Sequence, residues 1–327
     1  MLSLWIVINH CALIKGRIKK YLFNGFHVPT FFILAFYFYY PILQERNIEK
    51  IINRFQRLFI PYIFWPILIF IFNNIFISLF SFGQFNTKIP IKYLFFQFLI
   101  GTPYYGIFWF QFNLIFLSLF FSIISFAFKD KLLPIIQFFG VISLYFQVSK
   151  INYNLFFYNG NNIINKNIRK NLASLIELMP ILSIGCSLSS VNIIVYLQKM
   201  PRYYCLILLF LIILLFNYNI FISLKGFRYP NIFLNSFAST ILLLLFGSLF
   251  DNSNKKIKVL IFHITQFTGG IYCLHPIIRD YLSNNFVYFI KKNRTYFTAL
   301  NIYIISYSIC FIGYKLFHKY NLKYPIF

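Results

Sequence analysis

The sequence predicts an all-α polytopic membrane protein of about ten transmembrane helices with short links, forming a single domain over residues 1–327. Three observations predict it. Of the 327 residues, 60% are hydrophobic and only 11% charged, with a mean hydropathy of +0.72; an ordinary soluble domain carries roughly 25% charged residues. Apolar stretches close to the ~20 residues needed to cross a ~30 Å hydrocarbon core recur along the whole chain. The 30 Lys and Arg, which set a net charge of +24, fall mostly in the links between those stretches, where they can meet lipid phosphate headgroups. No basic stripe with interleaved aromatics stands apart from the apolar runs, so the charge does not point to nucleic acid.

Ten spans follow in order: 1–14, 26–43, 58–80, 107–128, 132–148, 172–197, 203–221, 232–250, 259–280 and 296–316. The first, "MLSLWIVINHCALI", would be only about 21 Å of helix. Either it continues past Lys15 with snorkelling basic side chains, or the native segment begins upstream of Met1. The second opens with Pro29 in its first turn, a normal helix start. The third follows a charged link, 44–57. Segment 91–101 is apolar but short, and suits an interfacial or re-entrant helix. The fourth opens among Tyr105 and Trp109, as an aromatic belt would. The longest polar link, 149–171, is rich in Asn and precedes the sixth span. Alternating the links across the membrane puts 14 Lys and Arg on the side of 44–57 and 16 on the other. The positive-inside rule therefore does not orient the chain.

Ionisable groups within apolar spans are the first candidates for function, because lipid burial disfavours charge. His10 lies inside the first span. A neutral imidazole there can act as a general base on a hydroxyl, or can bond a neighbouring carbonyl and serve packing alone. His27 stands at the mouth of the second span, an interfacial position. Arg54 and Arg57 are three apart and share a helix face. Together they suit the phosphates of a soluble ligand, or headgroups at a span end. Gln111 in "FWFQFNL" could bond a sugar or, more simply, a neighbouring helix. Glu177 lies about a turn inside the sixth span. His275 sits in "GGIYCLHPIIRD", deeper than Arg279 and Asp280. The five cysteines lie in apolar stretches without paired spacing and read as small apolar fillers, not metal ligands. No phosphate-cradling loop or metalloprotease motif occurs in its required context.

These signals gain weight from their order. An apolar segment carrying His10 is followed by "FHVPTFF" (26–32) and "RFQRLFIPYIFW" (54–65). "FWF" (108–110) then opens a later span, and "GGIYCLHP" (269–276) lies near the C-terminus. This succession resembles the acyltransferase 3 family, membrane enzymes of about ten helices. "FHVPTFF" is most similar to its fucose-acetylase-like and intercellular-adhesin-like branch. The resemblance spans nearly the whole chain, although 130–255 contributes only hydropathy. It implies transfer of an acyl group, usually acetyl, from cytosolic acyl-CoA to a hydroxyl of an extracytoplasmic carbohydrate or glycolipid. No metal takes part. His10 corresponds to the family's first-span histidine, implying the catalytic base. Arg54 and Arg57 match its arginine pair, implying the acyl-CoA site and a cytosolic 44–57. His27, Trp109, His275 and Glu177 are candidates for lining the acceptor route.

The sequence departs from the family pattern in three places. The Arg expected eleven residues before the first-span His would precede Met1. Ala35-Phe36 stands where Ser-Gly is usual. Lys15, Arg17, Lys19 and Lys20 fall on the outer side. The implied location is the plasma (inner) membrane. A non-catalytic polysaccharide export or polymerisation component, or an inactive family member, remains the alternative.

Overall fold

The computed structural model describes residues 27–71, 108–148, 163–224, 229–251, 267–285 and 296–319, together with 7, 95, 97–99 and 101. Among the described residues the regular secondary structure is all helical, with no strand. The helices are α1 (His27–Glu45), α2 (Ile48–Ile71), α3 (Trp109–Ala127), α4 (Leu132–Val148) and α5 (Ile163–Ser190). They continue with α6 (Ile193–Lys199), α7 (Arg202–Leu224), α8 (Tyr229–Asp251), α9 (Thr268–Asn285) and α10 (Tyr296–Lys319). Among the described residues, three stretches are long and apolar enough to cross a membrane by length and composition: Ile48–Ile71, Trp109–Ala127 and Ala173–Ser190. Leu132–Gln147, Tyr203–Ile212 and Asn235–Gly247 are shorter apolar helices. The predicted first span, Val7 excepted, lies outside the described residues, as does much of 91–101.

The boundaries differ from hydropathy where a cap or a breaker decides them. The chain turns at Arg46, whose φ of 54° is left-handed, and α2 then starts ten residues before its predicted span. Asn47 starts it: its Oδ1 accepts the Lys50 backbone N–H at 2.9 Å, satisfying one of the orphan donors of the first turn. Residues 48–57 are thus helix rather than link, and Arg54 and Arg57 project from the body of α2. The predicted span 172–197 is instead two helices, broken where Asn192 adopts φ 49°. Its polar lead-in from Ile163 is already helical because neither Gly nor Pro interrupts 163–179.

The bundle exposes large apolar side chains and buries a set of small polar ones within its apolar core. Phe138, Val141 and Tyr145 on α4 are 61%, 66% and 66% exposed. Asn113, Ser118, Ser122 and Ser125 on α3 and Ser236, Ser239 and Thr240 on α8 are buried. Apolar side chains outside and hydrogen-bonded polar ones inside are what a lipid solvent selects. Pro180 shows the same constraint on the backbone. It has no N–H to give the Ile176 carbonyl one turn earlier. Ser143 Oγ and Gln147 Nε2, the latter at 3.4 Å, donate to that carbonyl from α4.

α1 occupies the centre, packed on α5, α8, α3 and α2. α1 and α5 meet tightly at Gly185, where an added Cβ would run into the Ile33 backbone carbonyl. Small residues at such crossings let helices meet at their backbones. Gly185→Val is therefore expected to destabilise the bundle by about 1–3 kcal/mol, the cost of overpacking a tight core. Gly247→Ala supplies the control, since its Cβ would meet nothing within 4 Å. Thermal unfolding in detergent should show a lower midpoint for the first variant only. Equal midpoints would discount the Gly185 crossing.

Candidate active site

Arg54 leaves α2 and turns inward between α1 and α3. Its Nη2 donates to the Ala35 carbonyl at 3.3 Å and its Nε to Ser118 Oγ at 3.4 Å. The guanidinium lies 4.1 Å from the Tyr39 ring centroid and 5.9 Å from that of Phe36. Ala35 and Phe36, where the resemblance expects Ser-Gly, thus both contact this arginine. Among the described residues the ion pair is Lys50 with Glu45, at 2.8 Å on the surface; no carboxylate faces Arg54. A half-buried cation without a carboxylate retains an unmet demand for an anion. Arg57, one turn on, is exposed. The two arginines share a helix but not an environment.

Farther along α2 a second assembly forms. Phe110 of α3 lies 5.7 Å from Phe31 and 4.8 Å from Phe32 of α1, and 5.6 Å from Tyr272 of α9. Tyr272 lies 6.0 Å from His275. Trp65 of α2 is buried beside Gly270: an added Cβ there would sit 3.6 Å from Trp65 Cζ2 and 2.6 Å from Cys310 Sγ. Val7 is fully buried in the same apolar cluster as Tyr62, Trp65, Phe108 and Ile271. Residues from "WIVINH", "FHVPTFF", "RFQRLFIPYIFW", "FWF" and "GGIYCLHP" therefore converge, although they are spread over most of the sequence. Edge-on aromatic contacts of this kind favour a fixed arrangement.

The predicted site residues fall in distinct places. His10 lies outside the described residues. His27 is the first residue of α1. Trp109 begins α3, half-buried against the α1–α5 cluster and 6.4 Å from Phe110. His275 is fully buried, with Nδ1 3.2 Å from the Ile271 carbonyl. A carbonyl only accepts, so Nδ1 carries the proton of this bond. Glu177 is exposed on α5, within Ala173–Ser190. Gln111 bonds a neighbouring helix, its Nε2 donating to the Leu58 carbonyl at 3.3 Å. Cys186, Cys205, Cys273 and Cys310 are buried.

Sequence reasoning missed the surroundings of Arg54. Ser118, Ser122 and Ser125 are spaced four and three apart, which aligns them on one face of α3. That stripe of small hydroxyl residues within an apolar span was the available signal. Asn113 was missed too: it is fully buried, and its Nδ2 donates to Ser174 Oγ of α5 at 2.7 Å.

No curated protein and no solved structure matches the chain. The acyltransferase 3 family profile, an acyltransferase domain, matches residues 1–315. That match covers nearly the full length, including every motif that meets around Phe110 and Trp65. The chain belongs to the acyltransferase 3 family of membrane acyltransferases.

Proposed function

We propose that this protein is an O-acyltransferase of the fucose-acetylase-like branch. It moves an acyl group, acetyl by preference, from cytosolic acyl-CoA to a hydroxyl of an extracytoplasmic carbohydrate or glycolipid. Its place is the plasma (inner) membrane, which about ten spans cross, with the α1–α2 turn in the cytosol. The observation that carries this reading is the Arg54 guanidinium, half-buried among α1, α2 and α3 with no carboxylate against it among the described residues. Phosphates of a CoA donor supply the anion, with the exposed Arg57, one turn farther along α2, adding a second contact. Trp65 stands eleven residues farther along α2, about 16 Å at the helical rise. A donor anchored by its phosphates at Arg54 would extend its pantetheine arm toward the level where the motifs meet.

His10 is the proposed base. Val7, three residues earlier, is buried at that level. His10 accepts the proton of the acceptor hydroxyl as the oxygen attacks the thioester carbonyl. The C–S bond then breaks, the acyl group stays on the oxygen, and the leaving thiolate takes the proton from the imidazolium. His27, Trp109, His275 and Glu177 are the second-tier candidates for lining the acceptor route. Purified protein given acetyl-CoA labelled in its acetyl group tests the whole reading. Label should pass to a hydroxylated glycan or glycolipid, with free CoA released in equal amount. Glycan movement without consumption of acetyl-CoA would instead identify an export or polymerisation component.

A further inference from the structure

We infer that Tyr39 is a positioning residue for the donor site, its ring serving as the platform that fixes the Arg54 guanidinium. The inference rests on the reading of Arg54 as a contact for acyl-CoA phosphate. Two pairs of residues spaced by four build the arrangement. On α1, the Ala35 carbonyl takes Arg54 Nη2, and one turn later the buried Tyr39 ring lies under the guanidinium. On α3, Ser118 Oγ takes Arg54 Nε, and one turn later Ser122 Oγ lies 2.6 Å from the Tyr39 hydroxyl.

The direction of that last bond follows from its neighbour. Ser122 Oγ donates to the Ser118 carbonyl at 2.6 Å, so its proton is committed and Tyr39 O–H is the donor. The ring is thereby tied to α3 while it stacks on a side chain from α2. Two of the three guanidinium nitrogens are turned to protein acceptors. Of its five N–H groups, both on Nη1 and one on Nη2 are left to meet a phosphate among the described residues. The two protein contacts, at 3.3 and 3.4 Å, are longer than the usual N–H···O range and hold the planar fork only loosely. The ring beneath it must supply the orientation instead.

The test compares wild type with Tyr39→Phe, Tyr39→Leu, Arg54→Met and the Tyr39→Leu/Arg54→Met double variant. Each is assayed for binding of acetyl-CoA and for turnover of acetyl-pantetheine, which has the thioester but no nucleotide phosphates. Removing the ring should weaken acetyl-CoA binding by about tenfold, and removing only the hydroxyl by about two- to threefold. Acetyl-pantetheine turnover should stay at the wild-type level in both. The double variant should bind acetyl-CoA no more weakly than Arg54→Met alone, because the ring acts through the arginine. Tyr39→Leu and Tyr39→Phe binding as wild type, while Arg54→Met weakens it, would overturn the role of Tyr39 and leave the donor site standing. Equal loss of acetyl-CoA and acetyl-pantetheine activity would also overturn it, by showing a merely structural part. Wild-type acetyl-CoA binding by Arg54→Met would overturn the donor-site reading itself.

Discussion

Replacing His10 by Ala is expected to lower acyl transfer by about 10²- to 10⁴-fold while leaving membrane insertion and acyl-CoA binding unchanged. The magnitude is that of a positioned general base. A carbohydrate hydroxyl is a poor nucleophile at neutral pH, and it attacks a thioester usefully only if its proton departs as the new bond forms. Hydroxide cannot substitute in an apolar, water-poor span, so the loss should lie near the upper end of the range. On the proposed reading the donor phosphates bind at Arg54 and Arg57 rather than at His10, so the affinity for acyl-CoA should not move. A pH profile sharpens the expectation. The active form of the base is the neutral imidazole, so the wild-type rate falls as pH falls through the histidine titration. The residual rate of His10→Ala should lack that limb. Label transfer from acetyl-CoA, normalised to protein in the membrane fraction, measures both. Full activity in His10→Ala would remove His10 from the mechanism.

What the sequence made legible is what lipid dictates one-dimensionally. The helical class followed from apolar length, because a backbone in hydrocarbon must satisfy its own hydrogen bonds. The start of α3 was legible to within two residues, since the Trp109 aromatic cluster punctuates it. The start of α2 was not. Hydropathy marks where a helix becomes apolar, whereas Asn47 marks where its backbone bonds begin, ten residues earlier. The break at Asn192 was invisible for a related reason: a left-handed residue inside an apolar run changes no hydropathy average.

The site divides in the same way. The motifs were legible as a succession, but no spacing rule says that Phe31, Phe110 and Tyr272 touch. Tertiary packing alone supplies that. Arg54 and Arg57 were read as one fork because they are three residues apart. α1 and α3 cover only one of them, and coverage depends on neighbours that a single helix cannot reveal. The serine stripe of α3 could have been read in advance, since Ser118, Ser122 and Ser125 follow the helical period. It was overlooked because single serines in an apolar run resemble ordinary helix-packing residues.

That difference in coverage makes the two arginines separable by experiment. Arg54→Met keeps a long apolar side chain and deletes the charge. Its affinity for acyl-CoA is expected to fall about 10- to 150-fold, since a hydrogen bond to a charged group contributes roughly 1.5–3 kcal/mol. Arg57→Met removes an exposed charge, for which about 0–1 kcal/mol is usual, so about fivefold or less is expected. Salt should erode the Arg57 contribution more than that of Arg54, because the mobile ions that screen an exposed charge have poorer access to one enclosed by three helices. Stability should respond in the opposite sense. Without donor, Arg54 holds an uncompensated charge among Ala35, Tyr39 and Ser118, and deleting that charge should leave the unfolding midpoint unchanged or raise it. Titration of acyl-CoA at two salt concentrations, with thermal unfolding of the donor-free protein, reads all of these quantities. A lowered midpoint with unchanged donor affinity would make Arg54 a scaffold element tying α2 to α1 and α3, and the donor site would have to be sought elsewhere.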